Sequence, residues 1–165
     1  MPTASGLTQQ EGTGAVVSRQ GTSASDAETG RARILAVDDE PIIREVLCRI
    51  LAKPGHEVIC VESGEEAIEL LRNREFDILL SDYDMPGMSG QELAEQAKLM
   101  HPGITAALVT GWRNRIREED INASALDFVT SKPFRDAELN KIIAFAMSKR
   151  DGQAASDGLT TQEAR

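Results

Sequence analysis

Five short apolar runs alternate along the chain with longer segments in which apolar residues recur at helical spacing. Short runs that are apolar on both faces and rich in Ile, Leu and Val are typical of strands buried in a parallel sheet. The predicted strands are residues 33–37, 57–61, 76–81, 104–109 and 127–130.

The segments that follow these runs predict five helices. Pro41 suits the first turn of the first helix. Ser63 and Glu66 predict a capping box at the start of the second helix. The later helices are expected at residues 89–100, at residues 115–123 and after Asp136, which suits an N-cap.

Strand and helix alternate five times, and such a pattern builds a parallel sheet with helices on both faces. The pattern covers residues 31–150, which predicts one α/β domain. Residues 1–30 and 151–165 are rich in small and polar residues and show no apolar period. They cannot bury enough surface to offset the entropy of ordering, so we predict a disordered tail at each end.

Composition and charge narrow the range of functions. Apolar residues make up 41% and charged residues 27% of the chain, as in ordinary soluble proteins. The formal net charge is −9, and an acidic chain without a basic block is a poor candidate for direct nucleic-acid binding. No apolar run approaches the roughly 20 residues that cross a bilayer, and the N-terminus has no apolar signal-peptide region. We therefore expect a cytoplasmic protein.

The chain contains two cysteines, Cys48 and Cys60. Both lie in segments with an apolar period, and their spacing matches no metal site. We expect two reduced thiols in or near the core.

Carboxylates stand where two of the predicted strands end. Asp38 and Asp39 follow the first strand, and Asp82 follows the third. The carboxyl ends of parallel strands meet at one edge of a sheet, so these three side chains are expected to lie close together. Carboxylates in such a cluster repel one another unless a cation neutralises them, and all-oxygen ligands favour Mg²⁺.

A hydroxyl and an ammonium group stand at the ends of two other strands. Thr110 follows the fourth strand and Lys132 follows the fifth. A carboxylate nucleophile beside Mg²⁺, a lysine and a hydroxyl donor is suited to phosphoryl transfer, because the cations and the donor stabilise charge on the transferred oxygens. Gly111, which has no side chain, leaves room for the phosphoryl group.

Taken together, these motifs resemble the receiver domain of response regulators in two-component signalling. The matching segments are residues 34–41, Asp82 with Met85-Pro86 and Gly90, Val109-Thr110-Gly111, and Lys132-Pro133-Phe134. The resemblance covers nearly all of residues 31–150 and implies a flavodoxin-like, doubly wound, five-stranded parallel sheet with strand order 2-1-3-4-5 and five helices.

The resemblance also implies roles for the site residues. Asp82 is expected to accept a phosphoryl group from a phosphohistidine of a histidine kinase or a histidine phosphotransfer protein. Asp39, Asp82 and the backbone carbonyl of Asp84 are expected to bind Mg²⁺, with Asp38 acting through a metal-bound water. Thr110 and Lys132 are expected to bind the phosphoryl oxygens.

By the same resemblance, the protein is a signalling module and catalyses only its own phosphorylation and dephosphorylation. Its output is a conformational shift that a downstream protein reads. Nothing after Lys149 is long enough to be an output domain, so the sequence predicts a stand-alone receiver.

Two positions depart from the pattern that the resemblance implies. An aromatic residue is common three positions before the lysine, where this chain has Val129, and Phe128 lies one residue earlier. Adjacent strand residues point to opposite faces, so either a bulge restores the aromatic position or Phe128 is a core residue. Asp84 and Trp112 are expected to flank the path of the hydrolytic water and to modulate dephosphorylation.

Two other readings of the chain stay open at this point. Asp82-Tyr83-Asp84 fits the start of haloacid-dehalogenase-type phosphatases, which also form an aspartyl phosphate. In that family the acidic pair comes last, whereas here Asp38 and Asp39 come first. The second alternative is a receiver-like binding module that works without phosphorylation.

Overall fold

The structure is a computed structural model that describes residues 30–111 and 124–159, with side chains described through residue 155. The strands are β1 (Arg33–Val37), β2 (Glu57–Val61), β3 (Ile78–Asp82), β4 (Thr105–Thr110) and β5 (Phe128–Ser131). The helices are α1 (Pro41–Ala52), α2 (Gly64–Asn73), α3 (Gly90–Met100) and α4 (Asp136–Leu159).

All five strands pair in parallel, in the order β2-β1-β3-β4-β5. This order confirms the predicted topology. Strands β1, β3 and β4 lie in the middle of the sheet, and Val37 is in register with Ser81 while Asp82 is in register with Val109. The carboxyl ends of the three central strands therefore meet at one edge. Four helices belong to the described ranges, and the helix predicted at 115–123 lies outside them.

Helices cover both faces of the sheet. Helices α1 and α4 bury Leu47, Leu51, Leu139 and Ile142 against one face. Helices α2 and α3 bury Ala67, Leu71, Leu93 and Ala97 against the other. The central strands are apolar on both sides because each side meets a helical layer.

Local side-chain bonds define where two helices begin. Ser63 accepts a hydrogen bond from the backbone N–H of Glu66, which is one half of the capping box predicted for α2. The complete, reciprocal box forms at α3, between Ser89 and Glu92. Helix α3 follows directly after the loop that leaves β3, so this box fixes its start beside the site.

Helix α4 continues to Leu159, past the predicted end of the domain at residue 150. Tertiary contacts support the extension. Arg150 donates to the backbone oxygen of Arg31 at 3.0 Å and lies 3.4 Å from the Asp77 carboxylate, and Gln153 lies beside Gly103. The sequence shows no apolar period there and could not reveal these contacts.

The predicted tail at 1–30 falls almost entirely outside the described residues. None of the helices in the described ranges is long and apolar enough to cross a membrane.

The expectation of two reduced thiols is wrong, because Cys48 and Cys60 form a disulfide. Helix α1 packs along the edge strand β2, and this brings the two Cα atoms to 6.3 Å, within the usual range for a disulfide. In the sequence, the apolar period around each cysteine predicts a core residue. Only the packing of α1 on β2 makes them a pair.

We expect the disulfide to stabilise the fold measurably. The bond closes a loop with a sequence separation of 12, and the chain-entropy relation for such a loop gives about 3 kcal/mol. Urea unfolding of the double variant Cys48→Ser, Cys60→Ser should show this loss relative to the oxidised wild type. A reductant should lower the wild type to the level of the variant and leave the variant unchanged. Two free thiols in unfolded, non-reduced protein would contradict the pairing.

Candidate functional site

Three aspartates meet at the carboxyl edge of the sheet. Asp38 and Asp39 follow β1, and Asp82 ends the neighbouring strand β3. Carboxylate oxygens of the three lie within 4.8 Å of one another. Asp38 and Asp82 are buried and Asp39 is half-buried. The structure thus brings together the acidic cluster predicted from the sequence.

Lys132 supplies the positive charge that faces this cluster. It follows β5, and its backbone N–H donates to the carbonyl of Thr110 at 2.9 Å. Its Nζ lies 2.8 Å from Asp38 Oδ2 and 3.4 Å from Asp82 Oδ1, with Glu40 at 3.6 Å. One ammonium therefore bridges two of the three carboxylates.

Burial and charge shift the pKa values of this pair. Burial raises the pKa of Asp82 to about 6; Lys132 opposes the rise and the charge of Asp38 adds to it. Burial alone would lower the pKa of Lys132, but its hydrogen bond to Asp38 and the charges of Asp82 and Asp38 raise it above the ordinary value. Lys132 therefore stays protonated, while Asp82 ionises less readily than an exposed aspartate.

The three carboxylates have different hydrogen-bonding roles. Asp38 accepts from the backbone N–H of Glu40 through Oδ1 at 2.9 Å and pairs with Lys132 through Oδ2. Asp39 makes no such side-chain bond within the described part of the chain, and it also lines the open cleft beside the site. Asp39 and Asp82 are thus better placed than Asp38 to give an oxygen directly to a cation. The all-oxygen donor set suits Mg²⁺.

Thr110 and Gly111 complete the edge of the site. Thr110 is the last residue of β4, is buried, and is in register with Ser131, the residue before Lys132. An added Cβ at Gly111 would meet no atom of the described residues within 4 Å, so these residues leave the space expected beside this glycine.

Gly90 stands where helix α3 approaches the backbone of Asp82. A Cβ at this position would overlap the carbonyl oxygen of Asp82 and would come within 2.9 Å of the Leu108 side chain. The Gly90 N–H donates to Tyr83 O at 3.1 Å, and the Tyr83 N–H donates to Val109 O at 2.9 Å. The start of α3 thus fixes the end of β3, and only glycine allows the close approach.

The loop between β3 and α3 forms one wall of an open cleft. The cleft is lined by Asp39, Tyr83, Asp84, Met85, Pro86 and Ser89. Asp39 and Asp84 therefore line the same cleft. Gly87 in the same loop has a φ of +80°, a conformation that favours glycine.

Phe128 lies on the face of the sheet that α4 covers. Strand β5 pairs with β4 in regular parallel register through Phe128–Ser131, so no bulge moves the aromatic ring to the position of Val129. The Phe128 ring packs edge-on against Phe145 of α4, with 5.2 Å between ring centroids. Of the two alternatives stated for Phe128, the structure favours the core residue.

One predicted residue is outside the described part of the chain, and one residue beside the acidic pair was not predicted. Trp112, predicted to modulate the site, lies outside the described ranges. Arg44, which the sequence analysis did not single out, donates to the backbone oxygens of Asp38 and Asp39 at 2.7 and 3.4 Å. In the sequence, the signal for Arg44 was its position as a basic residue between the apolar residues Ile43 and Leu47 of α1.

Comparison with known proteins finds similarity to response regulators. The family model described as "Response regulator receiver domain" matches residues 34–144. The response regulator receiver protein CpdR of Brucella abortus is 35% identical over 107 residues, which are 65% of this chain and 89% of CpdR. FleR of Pseudomonas aeruginosa is 30% identical, over 79% of this chain and 29% of FleR.

Solved structures give the same result. The response regulator TrrA of Thermotoga maritima, crystallised in complex with Mg²⁺ and BeF, is 33% identical with a TM-score of 0.63, over 70% of this chain and 98% of that one. A CheY-like receiver domain of Methanospirillum hungatei is 28% identical with a TM-score of 0.67, over 74% of this chain and 98% of that one. The chain spans only 20 to 29% of the length of several curated relatives.

Gly90 and Gly111 should differ sharply in their tolerance of a methyl group. Gly90→Ala pushes against the Asp82 backbone, so the free energy of unfolding should fall by about 3 kcal/mol. Gly111→Ala meets none of the described residues and should change it by less than about 0.5 kcal/mol. Urea unfolding of the two variants checks this, and equal losses would contradict the close approach at Gly90.

Replacing Asp82 should stabilise the metal-free protein at neutral pH. The folded-state pKa of about 6 lies above the ordinary value of 3.8, so ionisation of Asp82 costs stability as the pH rises from about 4 to about 6. About two pKa units correspond to about 3 kcal/mol. In EDTA at pH 7, Asp82→Asn should therefore be more stable than the wild type by about 2–3 kcal/mol, and the gain should shrink near pH 4. A gain independent of pH would contradict the raised pKa.

Proposed function

The chain belongs to the response-regulator receiver family, and on this premise we propose that Asp82 accepts a phosphoryl group from a phosphohistidine. The donor is a histidine kinase or a histidine phosphotransfer protein. The observation that carries this proposal is the bridging of Asp38 and Asp82 by Lys132 at a cluster of three carboxylates.

The proposed step is a transfer between two nucleophiles. A carboxylate oxygen of Asp82 attacks the phosphorus, the P–N bond to the donor histidine breaks, and the imidazole leaves with that electron pair. Asp82 must be ionised to attack, and a pKa near 6 leaves it mostly ionised at neutral pH. The surroundings of Asp82 thus keep the nucleophile available while burying it.

Lys132 has two roles in this proposal. Before transfer it neutralises the repulsion between Asp38 and Asp82. During transfer it stabilises the charge on a phosphoryl oxygen, and the Thr110 hydroxyl donates a hydrogen bond to another. The space that the described residues leave at Gly111 accommodates the group.

The donor set fits a magnesium ion. Asp39 and Asp82 would hold it directly with the backbone carbonyl of Asp84, while Asp38, occupied by Lys132 and Glu40, would act through water. When bound, the ion neutralises the charge that develops on the transferred oxygens. The Mg²⁺ and BeF in TrrA, a relative with the same fold, support this assignment.

The output in this proposal is a shift between two conformations, which a downstream protein reads. The covalent phosphoryl group must favour one conformation by its contacts, chiefly with Thr110 and Lys132. These residues end β4 and precede α4, so the shift would reach the β4–β5–α4 side of the domain. The protein is thus a signalling phosphoacceptor and not an enzyme that turns over a separate substrate. The family match and the strand order argue against the phosphatase alternative.

Intact mass measurement tests the proposal directly. The protein is incubated with acetyl phosphate and Mg²⁺, and the wild type should gain the mass of one phosphoryl group. Asp82→Asn should gain none, because the amide cannot form the acyl phosphate. EDTA should suppress the adduct in the wild type by at least about 100-fold, since the ion contributes several kcal/mol to the transition state.

Two further arms separate the alternatives. A phosphohistidine-bearing donor protein replaces acetyl phosphate if the small donor gives no adduct. Absence of an adduct with both donors, in a folded protein, would leave the phosphorylation-independent binding module. Continuous release of phosphate from small phosphate esters would instead indicate a phosphatase.

A further inference from the structure

Arg44 of helix α1 lies next to the acidic pair, Asp38 and Asp39. It lies in the first turns of α1, and helical side chains lean toward the helix N-terminus, which here points at the loop after β1. Its guanidinium donates to Asp38 O at 2.7 Å and lies 3.4 Å from Asp39 O. Arg44 therefore contacts the backbone of the acidic pair and not the carboxylates.

The peptide unit between Asp39 and Glu40 is held at both ends. Its carbonyl oxygen faces Arg44, and its N–H donates to Asp38 Oδ1 at 2.9 Å. The other oxygen of Asp38 pairs with Lys132. One continuous set of contacts thus runs from Arg44 through this peptide to Asp38 and then to Lys132.

The Arg44 side chain is mostly buried. Only 20% of it is exposed, and its outer side pairs with Glu62 at 3.5 Å. Cys48, one helical turn further along the same face of α1, is joined to Cys60, two residues before Glu62. Helix α1 is therefore fixed to β2 beside Arg44, and the guanidinium has little freedom to leave the loop.

The carboxylates need such a support because they repel one another. Without a cation, repulsion among three carboxylates within 4.8 Å would move the mobile ones apart. Asp82 is fixed by β3, and Asp38 by Lys132 and Glu40. Asp39 is the member whose position depends most on the backbone of its own loop, and Arg44 holds that backbone.

We propose that Arg44 is a positioning residue that pre-organises Asp39 for magnesium binding. The inference rests on the proposed function, because it assigns Arg44 to the metal site of the phosphoacceptor. Residues that hold metal ligands in place commonly change metal affinity 10- to 100-fold when they are replaced. A positioning residue of this kind acts on affinity for the ion and leaves the chemistry at Asp82 intact.

Isothermal titration calorimetry with Mg²⁺ tests the proposal. Arg44→Ala should weaken Mg²⁺ binding about 10-fold relative to the wild type. Arg44→Lys should give an intermediate affinity, because an ammonium can donate to a backbone oxygen but cannot reproduce the planar fork of the guanidinium. Unchanged or tighter binding by Arg44→Ala would overturn the proposal.

Two matched variants separate positioning from charge. Glu62→Gln removes the outer ion pair of Arg44 and keeps its backbone bonds, so Mg²⁺ affinity should stay within about twofold of the wild type. Arg49→Gln removes an exposed arginine on the same helix, paired with Glu45, and should behave alike. A loss in either variant as large as that in Arg44→Ala would show that the effect is not specific to the backbone contacts of Arg44 and would overturn the positioning role.

Phosphorylation by acetyl phosphate gives the second readout. At low Mg²⁺ the rate for Arg44→Ala should fall about 10-fold, and at saturating Mg²⁺ it should return to within about twofold of the wild type. A rate that stays low at saturating Mg²⁺ would indicate structural damage and overturn the positioning role. If the wild type itself binds no Mg²⁺ and forms no adduct, the proposed function fails first.

Discussion

The mutual repulsion of three carboxylates is the constraint on which the site depends. Three carboxylates converge at the edge of the sheet, those of Asp38, Asp39 and Asp82. When no cation compensates their charge, each ionised carboxylate would have a lower energy farther from the other two. Lys132 supplies one charge within the protein and leaves net negative charge for an ion from solution. The fold therefore carries an electrostatic cost that a bound cation would relieve.

The parallel sheet holds the carboxylates together against this repulsion. Strands β1 and β3 are neighbours buried under helices on both faces, so Asp38 and Asp82 cannot separate without disrupting the core. Gly90 lets α3 pack directly on the carbonyl of Asp82, and Arg44 holds the backbone of the acidic pair. Packing fixes the geometry, and hydrogen bonds fix the orientation of each group.

Contacts of strand β5 give a physical route from the site to the rest of the domain. Lys132 follows β5, whose Thr130 hydroxyl donates to Glu138 of α4 at 2.7 Å. Phe128 of the same strand packs against Phe145, which is 45% exposed at the surface of α4. In the proposed function, a displacement of Lys132 toward a phosphoryl group would thus be transmitted to β5 and to α4, the helix that carries Phe145.

The sequence by itself determined the alternation of strands and helices and, through family resemblance, the strand order. It also predicted the candidate site residues Asp38, Asp39, Asp82, Thr110 and Lys132. These were predictable because apolar periodicity sets the strands, and strand ends collect at one edge. Only the tertiary structure decided the Cys48–Cys60 bond, the packing of Phe128 on α4, the extension of α4 past residue 150 and the contact of Arg44 with the acidic pair. These features depend on contacts between residues of separate elements, and such contacts depend on distances in the folded chain that no local pattern of residues encodes.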